Sequence, residues 1–308
     1  LEVVNFDVGR ALPHDVTLGQ PAWITARVFA PPEPLQGRAS VLVCLHGGSY
    51  DWRYFHIEGP GLEGYSMAAH LAALGHVVVV PDQLGVGESA RPAAPLKANR
   101  AVVAAANNAA ALQAFARIKD GSLHPRLPPI SNLLKVGVGH SMGAMALVTE
   151  QARFGAYDLV APIGYTNHGA HLSQDGKAVS VARPIEADDP GYRRLDRART
   201  MATFHWDGLP AEVLAADEAM SVEYLSVMAW EAMHATTVED SAKISAPVFL
   251  ALGERDVSPD PLSEPAFFSA SPDITLYRMA KTGHCQNFAE SRHRLWDRLD
   301  GWIRSLSH

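Results

Sequence analysis

Apolar and polar positions along this chain fall into two rhythms. Short, almost uninterrupted apolar runs occur at Val41 to Leu45, Val77 to Val80, Leu133 to Val138 and Ala246 to Leu252. They are too brief for helices and do not alternate, which predicts strands buried on both faces of a parallel sheet. Ile274 to Met279 predicts one more strand, and Glu2 to Val8 with Ala22 to Ala30 predicts an N-terminal hairpin. Helical stretches separate the runs: Gly64 to Leu74, the Ala-rich Leu96 to Lys119 stopped by Asp120-Gly121, Met142 to Phe154, and a segment opening at Glu264-Pro265. From Asn287 to Leu306, the residues Leu295, Trp296, Leu299, Trp302, Ile303 and Leu306 recur at the spacing of one helical face laid on a sheet.

The alternation of strand and helix breaks down between His168 and Ser241. Lys177 to Thr200 is charged and loop-like, whereas Pro210 to Met233 reads as helical and carries Leu214, Leu225, Met228 and Trp230. This divides the chain into a core made of residues 1–167 and 242–308, with 168–241 inserted between them as a mainly helical lid. The fold class is α/β. No internal repeat or low-complexity tract is present.

Composition narrows the function. With 47% hydrophobic and 19% charged residues the chain can bury a large core, which excludes disordered, collagen-like and solenoid classes. Lys and Arg number 26 against 33 Asp and Glu, a net charge of −7 that repels a phosphate backbone, so no nucleic acid partner is expected. Two cysteines, Cys44 and Cys285, make no disulfide framework and suit a reducing cytosol, although secretion stays open. Residues 1–10 lack a basic-then-apolar signal pattern. Lys97, Arg100, Asn107, Asn108 and Arg117 interrupt the least polar stretch, so no membrane span is expected, and a homo-oligomer is compatible with the pattern.

The strand at Leu133 to Val138 runs into Gly139-His140-Ser141-Met142-Gly143 and then a helix. The G-x-S-x-G spacing suits a strand that reverses into a helix within about one residue, with glycines making room and the serine exposed at the helix N-terminus. There, backbone amides and the helix dipole favour developing negative charge. An unaided hydroxyl is a poor nucleophile and needs a base, and the base needs an orienting group. Two later strands supply them: one ends in Gly253-Glu254-Arg255-Asp256, the other leads to Gly283-His284. Both candidates leave the carboxyl ends of parallel strands, where ligand sites of α/β sheets form. Glu254 is the second-choice carboxylate.

These features together resemble the α/β-hydrolase superfamily over about residues 20–165 and 240–308, and the insertion has no recognised counterpart. The resemblance implies an α/β-hydrolase fold, a mostly parallel central sheet flanked by helices. It also implies Ser141 as nucleophile, His284 as general base and then acid, and Asp256 as the carboxylate holding the imidazole tautomer. His46-Gly47-Gly48-Ser49-Tyr50 resembles the HG oxyanion loop, which offers the backbone N–H groups of Gly48 and Met142 to the oxyanion. Ser49 stands where a longer HGGG loop has glycine and is a second candidate donor, while His46 is read as a loop brace. Asp82 to Ser89 resembles the D-x-x-G-x-G-x-S turn and is read as structural, with Asp82 a surrogate acid of lower rank.

His140 is read as pocket-lining or packing. Together with Tyr50, Trp52 and Trp206 it is the expected substrate-binding set, in an apolar pocket to which Tyr54, Phe55, Trp230 and the methionines 201, 220, 228 and 233 also belong. His168 and His171 lack a third spaced ligand, so no metal is expected, and no cofactor is required. Cys285 points elsewhere if His284 points into the site. The expected activity is hydrolysis of a carboxylic ester or lactone of a moderately hydrophobic small molecule through an acyl-enzyme. A C–C bond hydrolase, an amidase or a cofactor-free haloperoxidase would use the same triad, and a hydrolase-fold ligand receptor with little turnover is the alternative from another class.

Overall fold

The computed structural model describes residues 1–33, 38–174, 177–180 and 184–307. Eight strands build its main sheet: β1 (Glu2–Asp7), β2 (Trp23–Phe29), β3 (Ala39–Leu45), β4 (Val77–Pro81), β5 (Leu133–His140), β6 (Leu159–Ile163), β7 (Val248–Gly253) and β8 (Ile274–Met279). Their spatial order is β1-β2-β4-β3-β5-β6-β7-β8. β2 runs antiparallel to both of its neighbours, and all pairs from β4 to β8 are parallel.

Strand alternation divides the apolar runs between two helical layers. Val41, Val43, Leu45, Val77 and Val79 face α2 (Arg100–Lys119) and α3 (Met142–Phe154), where Ala106, Ala110, Ala114 and Ala146 let backbone approach the sheet closely. Leu42, Cys44, Val78 and Val80 face the opposite layer, which contains α1 (Met67–Ala73) and the C-terminal helix Arg292–Ser305 with its buried Leu295, Trp296, Leu299 and Trp302. Each such side chain contributes roughly 1.5–3 kcal/mol of transfer free energy. Side-chain caps set two helix starts: Asn99 accepts from Ala101 and Val102, so α2 opens at Arg100 rather than Leu96, and Ser66 accepts from Ala69.

Between β6 and β7 the chain leaves the sheet. It carries a hairpin of His171–Gln174 and Lys177–Ser180, a two-residue pairing of Tyr192–Arg193 with Tyr224–Leu225, and the helices α4 (Arg197–Phe204), α5 (Ala211–Ala219) and α6 (Ser226–Met233). Lys177 to Thr200 is therefore not loop throughout; residues 181–183 of that stretch lie outside the described residues. Nor is Pro210 to Met233 one helix. Val222 donates its N–H to the Ser49 carbonyl at 3.0 Å, and Tyr224 and Leu225 pair with Arg193 and Tyr192, so tertiary hydrogen bonds pull the backbone out of helix there. The helix expected from Glu264 is a 3-10 turn, Glu264–Phe267. The Glu264 carboxylate turns inward to accept from Asn167 N–H at 2.9 Å and Ser258 Oγ at 2.6 Å. No helix among the described residues is long and apolar enough to cross a membrane.

Sheet register aligns the ends that matter. Leu45 pairs with Gly139, His140 with Ile163, Ile163 with Ala251, and Gly253 with Met279. The loops after β3, β5, β7 and β8 thus leave one sheet edge, and strand order reverses between β3 and β5, the kind of crevice in which α/β sheets bind ligands.

Candidate active site

Ser141 joins β5 to α3 with φ 55° and ψ −119°, and its N–H donates to the Ile163 carbonyl at 2.9 Å. A non-glycine residue in such a conformation stores about 1–3 kcal/mol of strain, held by the surrounding backbone. The flanking glycines are required by space. A Cβ at Gly139 would stand 2.6 Å from Ala144 Cα, and one at Gly143 would stand 2.2 Å from the Leu45 carbonyl oxygen. The loop after β3 lies equally close: a Cβ at Gly48 would meet Met142 Sδ at 2.7 Å. Gly48 and Met142 therefore sit together beside Ser141 at the N-terminus of α3, where amide dipoles favour negative charge.

His284 and Asp256 meet on the other side of the serine. Nδ1 of His284 donates to Asp256 Oδ1 at 2.7 Å, which leaves Nε2 as the lone-pair nitrogen. The carboxylate is fully satisfied: Oδ1 also accepts from Val257 N–H at 2.7 Å, and Oδ2 accepts from Gly253 N–H and Gln286 Nε2, each at 2.8 Å. Both side chains are buried. The inserted segment clamps the histidine loop, because His284 N–H donates to the Thr203 carbonyl at 2.8 Å and Cys285 N–H to the Phe204 carbonyl at 2.9 Å. Ser141, His284, Gly48 and Met142 all line one cavity of about 260 Å³. Its apolar wall comes from the insertion, with Leu172, Phe204, Tyr224, Trp230 and Met233.

The expected substrate-binding set needs correction. His140, Tyr50, Trp52 and Trp206 do not line this cavity. His140 lies behind the elbow, stacked on Tyr54 with ring centroids 4.2 Å apart, and its Nε2–H donates to the His284 carbonyl at 2.9 Å. Burial, with His284 nearby, holds its imidazole well below the ordinary range and therefore neutral. Trp52 stacks against Arg27 and His56, and Trp206 lies under the Arg255 guanidinium. Among the insertion residues singled out from sequence, Trp230 and Met233 do reach the cavity wall.

Tyr50 belongs to a buried polar network that sequence reasoning missed. Its hydroxyl donates to Asp217 Oδ1 at 2.5 Å, accepts from Arg197 at 2.9 Å and lies 3.1 Å from Cys285 Sγ. His205 Nε2 donates to Asp217 Oδ2 at 3.0 Å. Burial alone would raise the Asp217 pKa, but the His205 hydrogen bond and the Arg197 charge outweigh it and hold the carboxyl below its usual range. Ser49 is fully buried at φ 65°, its carbonyl taken by Val222 N–H and its hydroxyl away from the cavity lining. Gln286, two residues past His284, carried a proximity signal in the sequence; Asp217, Arg197 and His205 carried none.

Other candidates have structural positions. Asp82 accepts from Trp52 N–H at 2.9 Å, Glu88 N–H at 3.0 Å and Arg27 at 3.1 Å, which ties the turn after β4 to β2. His46 Nε2 accepts from Gln83 N–H at 3.1 Å, and Glu254 accepts from Lys281 N–H at 2.8 Å. His168 pairs with Ser263 Oγ at 2.7 Å and His171 with the Gly169 carbonyl at 2.8 Å.

A parallel-rich sheet with a strained serine elbow, a carboxylate-bound histidine and a shared cavity at one edge defines a hydrolase of the α/β type. Residues 42–298 match the family model described as the alpha/beta hydrolase family, and the chain belongs to that family. No curated protein sequence gives a significant match. Among solved structures the chain is similar to a thermophilic esterase from Thermogutta terrifontis, solved with malate bound, at 17% identity over 99% of each chain with a TM-score of 0.61. It is similar also to an esterase from Exiguobacterium antarcticum, at 15% identity over 94% of this chain and 98% of that one with a TM-score of 0.64. E-2-(acetamidomethylene)succinate hydrolase is a third, at 16% identity over 98% and 99% with a TM-score of 0.59. At these identities the likeness concerns the fold.

Proposed function

We propose that this hydrolase is a serine carboxylic-ester hydrolase acting on esters or lactones of apolar small molecules, with Ser141, His284 and Asp256 as its triad and residues 168–241 as its lid. The observation that carries the reading is the 2.7 Å bond from His284 Nδ1 to Asp256, which leaves Nε2 as the proton acceptor of a residue that lines the same cavity as the strained Ser141. Nε2 takes the Ser141 proton as Oγ bonds to the carbonyl carbon, and Asp256 stabilises the imidazolium. The backbone N–H groups of Gly48 and Met142 hold the oxyanion; each such donor is worth about 2.7–4 kcal/mol in the transition state. As the alcohol C–O bond breaks, Nε2 returns the proton to the leaving oxygen, and water then repeats the sequence to release the acid. The apolar lining from the insertion supports an apolar alcohol or acyl group.

The test is a panel of esters, lactones and amides assayed on wild type and Ser141→Ala, with fluorophosphonate labelling mapped by mass spectrometry. Ester or lactone turnover that falls by about 10³-fold or more in Ser141→Ala, with the label on Ser141, is expected. Turnover indifferent to the substitution, or a label elsewhere, refutes the assignment.

A further inference from the structure

Ser141 stands at the junction of two compartments. The larger, of about 260 Å³, is the one shared with His284, Gly48 and Met142. The smaller, of about 20 Å³, extends past Ser141 to Met145, Thr166, Glu231, Thr236 and Thr237, and none of His284, Gly48 or Met142 lines it. The two share Ala170, Ala232 and Val257 along one wall.

The four substituents of a tetrahedral intermediate can be assigned to these spaces. One is Ser141 Oγ. The oxyanion points to Gly48 and Met142, and the leaving oxygen must lie within hydrogen-bond reach of His284 Nε2, so both face the larger compartment. The acyl carbon takes the remaining direction, into the smaller one. From this geometry, resting on the ester-hydrolase reading above, we infer that the substrate class is short-chain acyl esters, acetyl or propionyl, of bulky apolar alcohols.

Size supports the short acyl limit. The smaller compartment offers about 20 Å³ against about 260 Å³ in the larger one, so the acyl group is the smaller of the two substituents. Chemistry supports it too. The lining of the smaller compartment includes Glu231, whose Oε2 accepts from Arg100 N–H at 2.6 Å, and Thr236, whose hydroxyl donates to the Glu231 carbonyl at 3.1 Å. These groups are already hydrogen-bonded and fixed in place, so the wall cannot give way to a longer alkyl chain without breaking those bonds. The larger compartment, walled by Leu172, Phe204, Tyr224, Trp230 and Met233, matches a bulky apolar alcohol.

The experiment measures kcat/KM, which reports acylation, for 2-(1-naphthyl)ethyl acetate, propionate, butyrate, hexanoate and octanoate, and for ethyl acetate and ethyl hexanoate, all esters of primary alcohols of similar basicity. The wild type is expected to lose at least about tenfold between propionate and hexanoate, and to prefer naphthylethyl over ethyl esters at constant acyl group. Met145→Ala, which enlarges only the smaller compartment, is expected to raise the hexanoate-to-acetate ratio by about tenfold. Should that variant fail to fold, the wild-type series still decides. A flat acyl profile with Ser141-dependent hydrolysis overturns this allocation and leaves the esterase reading intact, as does activity that rises with acyl length. Absence of any Ser141-dependent acyl transfer overturns both.

Discussion

Glu150 offers the sharpest test of the packing behind Ser141. It sits in α3, the helix that Ser141 opens, and its carboxyl is fully buried with one hydrogen bond, from the Tyr157 hydroxyl at 3.0 Å. Burial pushes its pKa from 4.5 up to about 8, only partly offset by that bond. A raised folded-state pKa means that the native chain holds a proton the unfolded chain has released, so the stabilisation is complete below pH 4.5 and is lost as pH rises through about 8. Between pH 7 and 9 the unfolded carboxyl is ionised throughout, while the native one goes from mostly protonated to mostly ionised. Linkage then removes about 1.3 kcal/mol of stability over that interval, and about the same again between pH 6 and 7. Glu150→Gln keeps the shape and an oxygen for Tyr157 but cannot titrate. Urea unfolding of both proteins at pH 6, 7, 8 and 9 isolates the effect, because groups common to the two cancel in the difference. The stability of wild type relative to the variant should fall by about 2.6 kcal/mol from pH 6 to 9. Parallel pH profiles would show that the native carboxyl is ionised across this range and refute the reasoning.

Three further substitutions, at two positions, probe the site and its support. Asp256→Asn preserves the volume and the contacts to Gly253 and Gln286 but removes the charge that fixes the His284 tautomer, so kcat should fall about 10⁴-fold with little change in fold by circular dichroism. A loss below about tenfold would point to another carboxylate. Asp217→Ala leaves Arg197 and the Tyr50 hydroxyl buried without their acceptor and should cost about 3–5 kcal/mol in urea unfolding, whereas Asp217→Asn, which keeps an acceptor oxygen, should cost less. Equal and small costs for the two would mean that the network carries no net stabilisation.

The parts of this fold that the sequence made legible are those where local backbone constraint dictates residue type. The apolar runs of β3, β4 and β7 are buried on both faces with no polar residue between, and that of β5 is broken only by the half-buried Lys135 near its start. Gly139 and Gly143 mark the elbow because a side chain at either would overlap backbone, and a pattern of excluded side chains survives in sequence without knowledge of the rest of the chain. The contact between His284 and Asp256 was readable because each follows a recognisable strand by a few residues.

The pocket was not readable in the same way. Tyr50, Trp52 and Trp206 are as aromatic as Phe204, Tyr224 and Trp230, yet the first three are held by long-range partners, a carboxylate and two guanidiniums, that turn them from the cavity. Composition marks a residue as able to line an apolar space; only the position of residues far away in the chain decides whether it does. The same applies to the helix expected over Pro210 to Met233, where Ser49 and Tyr192 claim backbone groups that a local pattern would assign to helix. Tyr50 joins the two regimes, since it follows the Gly48 loop directly and is fixed by Asp217 and Arg197 from the insertion. The Gly48 side of the cavity is therefore held by a segment whose pattern disclosed Trp230 and Met233 as lining but not its hold on Tyr50, and altering the insertion should change the geometry around Ser141 as well as the shape of the substrate space.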